Sequence, residues 1–92
     1  MEEFKVIITI VGADKVGIVA AFADALAKCN VNIEDIRQTI MQGQFTMIML
    51  TDFAKANCSF QNFKDNLLTL GENLGMEVWV QRKKIFDKMH FI

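Results

Sequence analysis

Residues 4–30, FKVIITIVGADKVGIVAAFADALAKCN, change their apolar period once, and that change decides the fold. Phe4, Val6, Ile8 and Ile10 alternate with Lys5, Ile7, Thr9 and Val11. A β-branched run that is apolar on both sides reads as a strand covered on both faces, and therefore as a central strand. After Gly12 the spacing becomes helical: Ile18, Phe22 and Leu26, flanked by Ala21, Ala25 and Cys29, run down one face as far as Lys28. Asp14 is placed to cap this helix and Asn30 to end it in a left-handed conformation.

Outward from there, β-branched residues return between Val31 and Met41. Gln42-Gly43 stands where a hairpin turn is wanted, and Gln44 to Asp52 makes the returning strand. Ile33 and Ile36 cannot share a face of a regular strand, which predicts a bulge or twist near Glu34-Asp35. Ser59 offers an N-cap to a second helix with the stripe Phe60, Phe63, Leu67, Leu70 and Leu74, closed by Gly75. Met76, Val78 and Val80 then alternate with Glu77, Trp79 and Gln81 as a fourth strand, and Ile85, Phe86, Met89 and Ile92 suggest a short amphipathic turn.

The order βαββαβ, with right-handed crossovers linked through the hairpin, predicts an α+β, ferredoxin-like sandwich: a four-stranded antiparallel sheet with two helices on one face. A chain of 92 residues supports one core. Residues 1–83 are expected to form that domain and residues 84–92 a C-terminal tail. The open sheet face would carry Ile7, Val11 and Trp79, and apolar groups in such a place call for a partner. A homodimer is the expectation, with Phe86 and Met89 of the tail as further interface residues or as a second cover.

Composition narrows the function. Apolar types make up 52% of the chain, with eight Phe, which argues for an ordered core. The net charge is −1, so there is no global field to attract nucleic acid or an anionic membrane. The acidic start Met1-Glu2-Glu3 is unlike a secretory signal, and no apolar run approaches the ~20 residues that span a bilayer, so a cytoplasmic protein is expected. Cys29 and Cys58 lack partners at ligand spacing and read as reduced packing thiols. Arg82-Lys83-Lys84 reads as a solvated strand end.

Several chemistries known on this architecture lack their residues. A soft-metal carrier needs cysteines in the first loop, and there are none. RNA readout by stacking needs more exposed strand aromatics than Phe4 and Phe45. A phosphoryl clamp needs an arginine near the first loop, where the cations are Lys15 and Lys28. His90, with Asp87 three residues before it, is not oriented as a general base, and the adjacent Glu34 and Asp35 point apart. No catalytic residue, cofactor or metal site is expected, and the protein is not expected to be an enzyme.

What the chain does contain is a loop bracketed by Gly12 and Gly17 that feeds a helix start. Glycines permit positive φ and close approach of a ligand to the backbone. The helix start favours a carboxylate, Asp14 can meet an ammonium group, and Asn32 carries a donor and an acceptor expected at the same end of the sheet. A zwitterionic amino acid matches this set. The same residues also suffice for a plain strand-to-helix turn, and chemistry alone leaves both readings open.

The stretch VGADKVGIVAAFADALAKCNVNIEDIRQTI, with its Gly-x-Asp-x-x-Gly-Ile loop and Asn-Ile strand start, resembles the first half of an ACT domain. The likeness continues through QGQF, and the tail is similar to that of short stand-alone ACT proteins and to ACT repeats in a glycine-cleavage-system transcriptional repressor. This resemblance implies a regulatory domain that binds an amino acid or similar metabolite at a homodimer interface. By motif it implies ligand contacts at Asp14, Val16, Gly17, Ile18, Asn32 and Ile33, with Gly12 supporting the loop. With no enzyme or DNA-binding domain in these residues, action in trans on another protein is expected. The alternative is a protein-interaction module without a ligand.

Overall fold

The computed structural model describes residues 4–89. Their elements follow the order β1 (Lys5–Ala13), α1 (Ile18–Lys28), β2 (Asn32–Met41), β3 (Gln44–Asp52), α2 (Phe60–Leu74), β4 (Glu77–Arg82) and α3 (Lys83–Met89). The strands form one sheet in the order β2-β3-β1-β4, every pair antiparallel. This is the ferredoxin-like arrangement that the periodicity predicts.

The alternation in β1 sorts the two faces. Val6, Ile8 and Ile10 stand opposite Thr51, Met49 and Met47, and they pack with Ile18, Phe22 and Leu26 of α1 and Phe63 and Leu67 of α2. All of these are buried, and each large apolar side chain so placed contributes about 1.5–3 kcal/mol relative to exposure. Thr51 is the polar member of the layer. Its hydroxyl donates to the Val6 carbonyl at 2.9 Å, so burial leaves it satisfied.

The connections follow their local chemistry. Gln42 and Gly43 both have positive φ, 53° and 79°, which is the type I′ geometry that matches the twist of a hairpin. The register of β2 against β3 shifts between Ile33 and Asp35, leaving Glu34 as the extra residue. That bulge lets Ile33 and Ile36 face the core together. At the end of α1, Asn30 adopts φ 57°, its N–H donates to Ala27, and the Val31 N–H donates to Leu26, closing the helix in a Schellman-type turn. In α2, the Ser59 hydroxyl accepts from the Asn62 N–H at 3.1 Å, and Gly75 ends the helix in the left-handed region.

Two sequence expectations need correction. Asp14 does not cap α1: Gly17, at φ 89°, occupies the N-cap position, and no side chain bonds to the helix start. Lys15 and Val16 intervene, and the Asp14 N–H is instead held by the Gly43 carbonyl at 2.9 Å. Gly12 does not turn the chain either, because β1 continues through it to Ala13 without positive φ. Its role is close approach: a Cβ there would lie 2.6 Å from Met76 Sδ and 3.3 Å from the Gly75 carbonyl oxygen.

The tail is helical. α3 follows β4 directly and lies against β1 and β4. Ile7 points away from α1 and α2 yet is only 6% exposed, on the strand against which α3 lies. Arg82 is not simply a solvated strand end, since its guanidinium lies 4.5 Å above the Phe60 ring. Lys83 pairs with Asp87 one helical turn on.

Gly71 marks where α2 crosses β4, and a Cβ there would lie 2.4 Å from Val78 Cγ2 and 3.1 Å from the Met76 carbonyl oxygen. Gly71→Ala gains about 1 kcal/mol in helix propensity. It meets overpacking of about 1–3 kcal/mol against a β-branched side chain and backbone. A net loss of stability is expected, read as a lower urea midpoint with an unchanged slope; a higher midpoint would show that propensity dominates.

Candidate functional site

The loop between β1 and α1 is fastened on both sides. Asp14 is tied through its N–H to the hairpin turn. Lys15 Nζ donates to the Leu74 carbonyl at 2.9 Å, placing a cation at the C-terminal end of α2, where the helix dipole is negative. Between these anchors Val16 is fully exposed. At Gly17 a Cβ would find nothing within 4 Å, so the backbone there faces open space. The first N–H groups of α1 have no intrahelical acceptor. No side chain caps them, and no acidic residue stands in the first turn. Ile18, named with the loop by motif, is instead buried in the core.

Asn32 and Ile33 lie elsewhere. Residue pairing aligns Lys5, Asp52 and Asn32 at one end of the sheet, and Ala13, Gln44 and Met41 at the other. The eight-residue interval from Lys5 to Ala13 corresponds to about 27 Å of strand. The expectation that Asn32 shares an end with the glycine loop is therefore wrong. Within one chain, no small ligand touches both. Asn32 is exposed and Ile33 half-buried on the core-facing side.

At the Asn32 end is a groove of about 490 Å³ lined by Ala27, Asn30, Val31, Asn32, Asp52, Ala54 and Lys55. It was not foreseen from sequence. Its walls are joined by side-chain bonds to distant carbonyls, Asn30 Nδ2 to Lys55 at 2.8 Å and Asn57 Nδ2 to Lys28 at 3.0 Å. The signal was the group Asn30, Asn32 and Asn57, residues that hydrogen-bond backbone at turns. Asp52 accepts from the Ala54 N–H at 2.9 Å, and this bond, followed by the charge of Lys5, holds its carboxyl below the usual range. Lys5 is pushed up by its bond to Glu34, with Asp52 assisting.

The expected interface residues divide. Ile7 is only 6% exposed within one chain and is not presented to a partner, which corrects its assignment as an interface residue. Val11 is half-buried, and Trp79, opposite Thr9 on the same face, is 48% exposed. Phe86 is half-buried in α3, while the side chain of Met89 and all of His90 lie outside the described residues. The edge strand β2 also ends in exposed apolar residues, Ile40 and Met41. Among the described residues no three His, Cys, Asp or Glu groups gather as metal ligands. No helix among them is long and apolar enough to cross a membrane.

The ACT-domain family model matches residues 5–81. The chain belongs to the ACT-domain family. A UPF0237 protein of Methanosarcina acetivorans is 48% identical over 92 residues, covering 100% of both chains. An ACT domain protein from Streptococcus pneumoniae superimposes with TM-score 0.77 at 34% identity, over 89% of this chain and 92% of that one. A candidate glycine cleavage system transcriptional repressor matches with TM-score 0.75 at 26% identity, over 85% of this chain but 44% of the other. The family and these neighbours support a small regulatory ligand-binding module.

The charges at the Asn32 end give a pH test. Asp52 has a depressed folded-state pKa, so its stabilisation is present above the unfolded value of about 3.9 and is lost as pH falls through the folded value. Lys5, raised, stabilises below about 10.4, and that stabilisation is lost as pH rises through its folded value. Asp52→Asn should flatten the fall in stability below about pH 4, measured by denaturant titration across pH. An unchanged acid limb would remove Asp52 from the explanation.

Proposed function

We propose that this ACT domain senses an amino acid or a similar small zwitterion at a site shared by two copies of the chain, and acts in trans on another protein. The observation that carries the reading is the uncapped start of α1 beneath the open backbone of Gly17. Its N–H groups and dipole suit a carboxylate, an interaction worth about 0.3–1 kcal/mol when exposed and up to about 2 when partly buried. Asp14 supplies a counter-charge for an ammonium group, and Val16 an apolar contact.

The placement of Asn32 supports a second copy. Loop and Asn32 lie at opposite ends of one sheet, so one ligand meets both only when they come from different chains. A two-fold axis through the β2 edge supplies that arrangement. Antiparallel pairing of two β2 strands brings the Asn32 end of each to the Met41 end of the other. The loop is tied to that end through Gly43. Asn32 and Ile33 of one copy then complete the wall opposite Asp14, Val16 and Gly17 of the other.

A thermal-shift screen of the twenty amino acids tests the first part. A ligand at ~100 times its Kd stabilises the folded state by about 2.7 kcal/mol. That corresponds to a rise of roughly 10 °C or more for a domain of this size. No response from any amino acid would sink the reading in favour of a ligand-free interaction module, for which exposed Trp79 is the candidate contact. Mixing tests the shared site. Asp14→Ala and Asn32→Ala should each abolish binding alone, while random exchange of subunits between them restores about a quarter of the sites, since mixed dimers hold one intact site each. Failure of mixing to restore any binding would place each site within one chain.

A further inference from the structure

Cys29 and Cys58 are distant in sequence and adjacent in the fold. Cys29 follows the last residue of α1, and Cys58 precedes the Ser59 cap of α2. The Asn57 N–H donates to the Cys29 carbonyl at 3.0 Å, and Asn57 Nδ2 to the Lys28 carbonyl at 3.0 Å, so the β3–α2 connection is laid along the end of α1. The two side chains are half-buried and pack against the core, and burial, followed by the neighbouring Cys29 side chain, pushes the Cys58 thiol up. Both are free.

We propose that Cys29 and Cys58 are a modification site, a dithiol that closes reversibly to an intramolecular disulfide and pins the β3–α2 connection to the end of α1. The oxidant is a peroxide. One thiolate cleaves the peroxide O–O bond and becomes a sulfenic acid with release of water from hydrogen peroxide. The other thiol then displaces a second water as the S–S bond forms, so two thiols and one peroxide give one disulfide and two waters. A thiol reverses the reaction by exchange.

The consequence falls on the groove at the Asn32 end. One wall comes from the end of α1, with Ala27 and Asn30, and the other from the connection, with Ala54 and Lys55. In the reduced protein these walls are held by the hydrogen bonds of Asn30 and Asn57, which can open. The disulfide makes the crossing covalent and fixes the width of the groove. This inference does not rest on the proposed ligand site, and it stands or falls by its own measurement.

The test uses the full 92-residue chain, treated with one equivalent of hydrogen peroxide. A product two hydrogens lighter is expected, in which non-reducing peptide mapping joins the Cys29 and Cys58 peptides. Its thermal midpoint should rise by at least about 5 °C and fall back on adding dithiothreitol, because the bond closes a loop of about 30 residues in the unfolded chain. Cys29→Ser and Cys58→Ser should each give no crosslinked monomer. The proposal is overturned if the unsubstituted chain keeps both thiols, goes only to sulfinic or sulfonic acids, or forms only disulfides between chains. It is equally overturned if either single variant still loses two hydrogens.

Discussion

The pairing of β1 on both edges is the constraint on which the rest depends. β3 holds one edge and β4 the other, α1 and α2 cover one face, and α3 also lies against the strand, whose Ile7 is buried. A strand with so little wet surface must be apolar nearly throughout, which is why Val6 to Val11 contains only Thr9 as a polar residue. β1 and β2 are both antiparallel to β3 and hence parallel to each other. A helix joining parallel strands has to carry the chain back over the full length of the sheet. The loop that leaves β1 and the residues that open β2 are therefore held at opposite ends by topology, and no side-chain motion brings them together.

Much of this was legible. The change from two-residue to helical spacing at Gly12 located β1 and α1, and the conflict between Ile33 and Ile36 located the bulge because side-chain alternation admits no other resolution. Gln42-Gly43 announced its turn through the need for two consecutive positive φ values. The site was less legible. Asp14 resembles a cap in sequence, but the residue that begins a helix is set by where the backbone turns, and Gly17 takes that position. Gly12 reads in sequence as support for the strand-to-helix loop and is a spacer whose missing Cβ makes room for Met76, a relation between residues far apart in the chain. The groove depends on Asn30 reaching Lys55 and Asn57 reaching Lys28, and local periodicity carries no information about such pairs.

Electrostatics in the loop has a division of labour that neither helix shows alone. Lys15 places its ammonium on the last carbonyls of α2, so the negative end of that dipole is satisfied within the protein. The positive end of α1, a few residues on, has no side-chain counterpart. Had Lys15 been free, it would have competed as an anion contact. Its engagement leaves backbone N–H groups as the anion-facing chemistry of the proposed site.

The two edges of β1 are also filled at different times as the chain is made. β1 comes first, β3 next, and β4, which completes the sheet beside it, only after α2. Until residues 77–82 emerge, an apolar strand with one unsatisfied edge is held in place by a hairpin partner alone, the kind of template on which unfinished chains stick to one another. The placement of the first-made strand at the centre thus exposes its free edge during biosynthesis, while in the finished molecule both of its edges are paired.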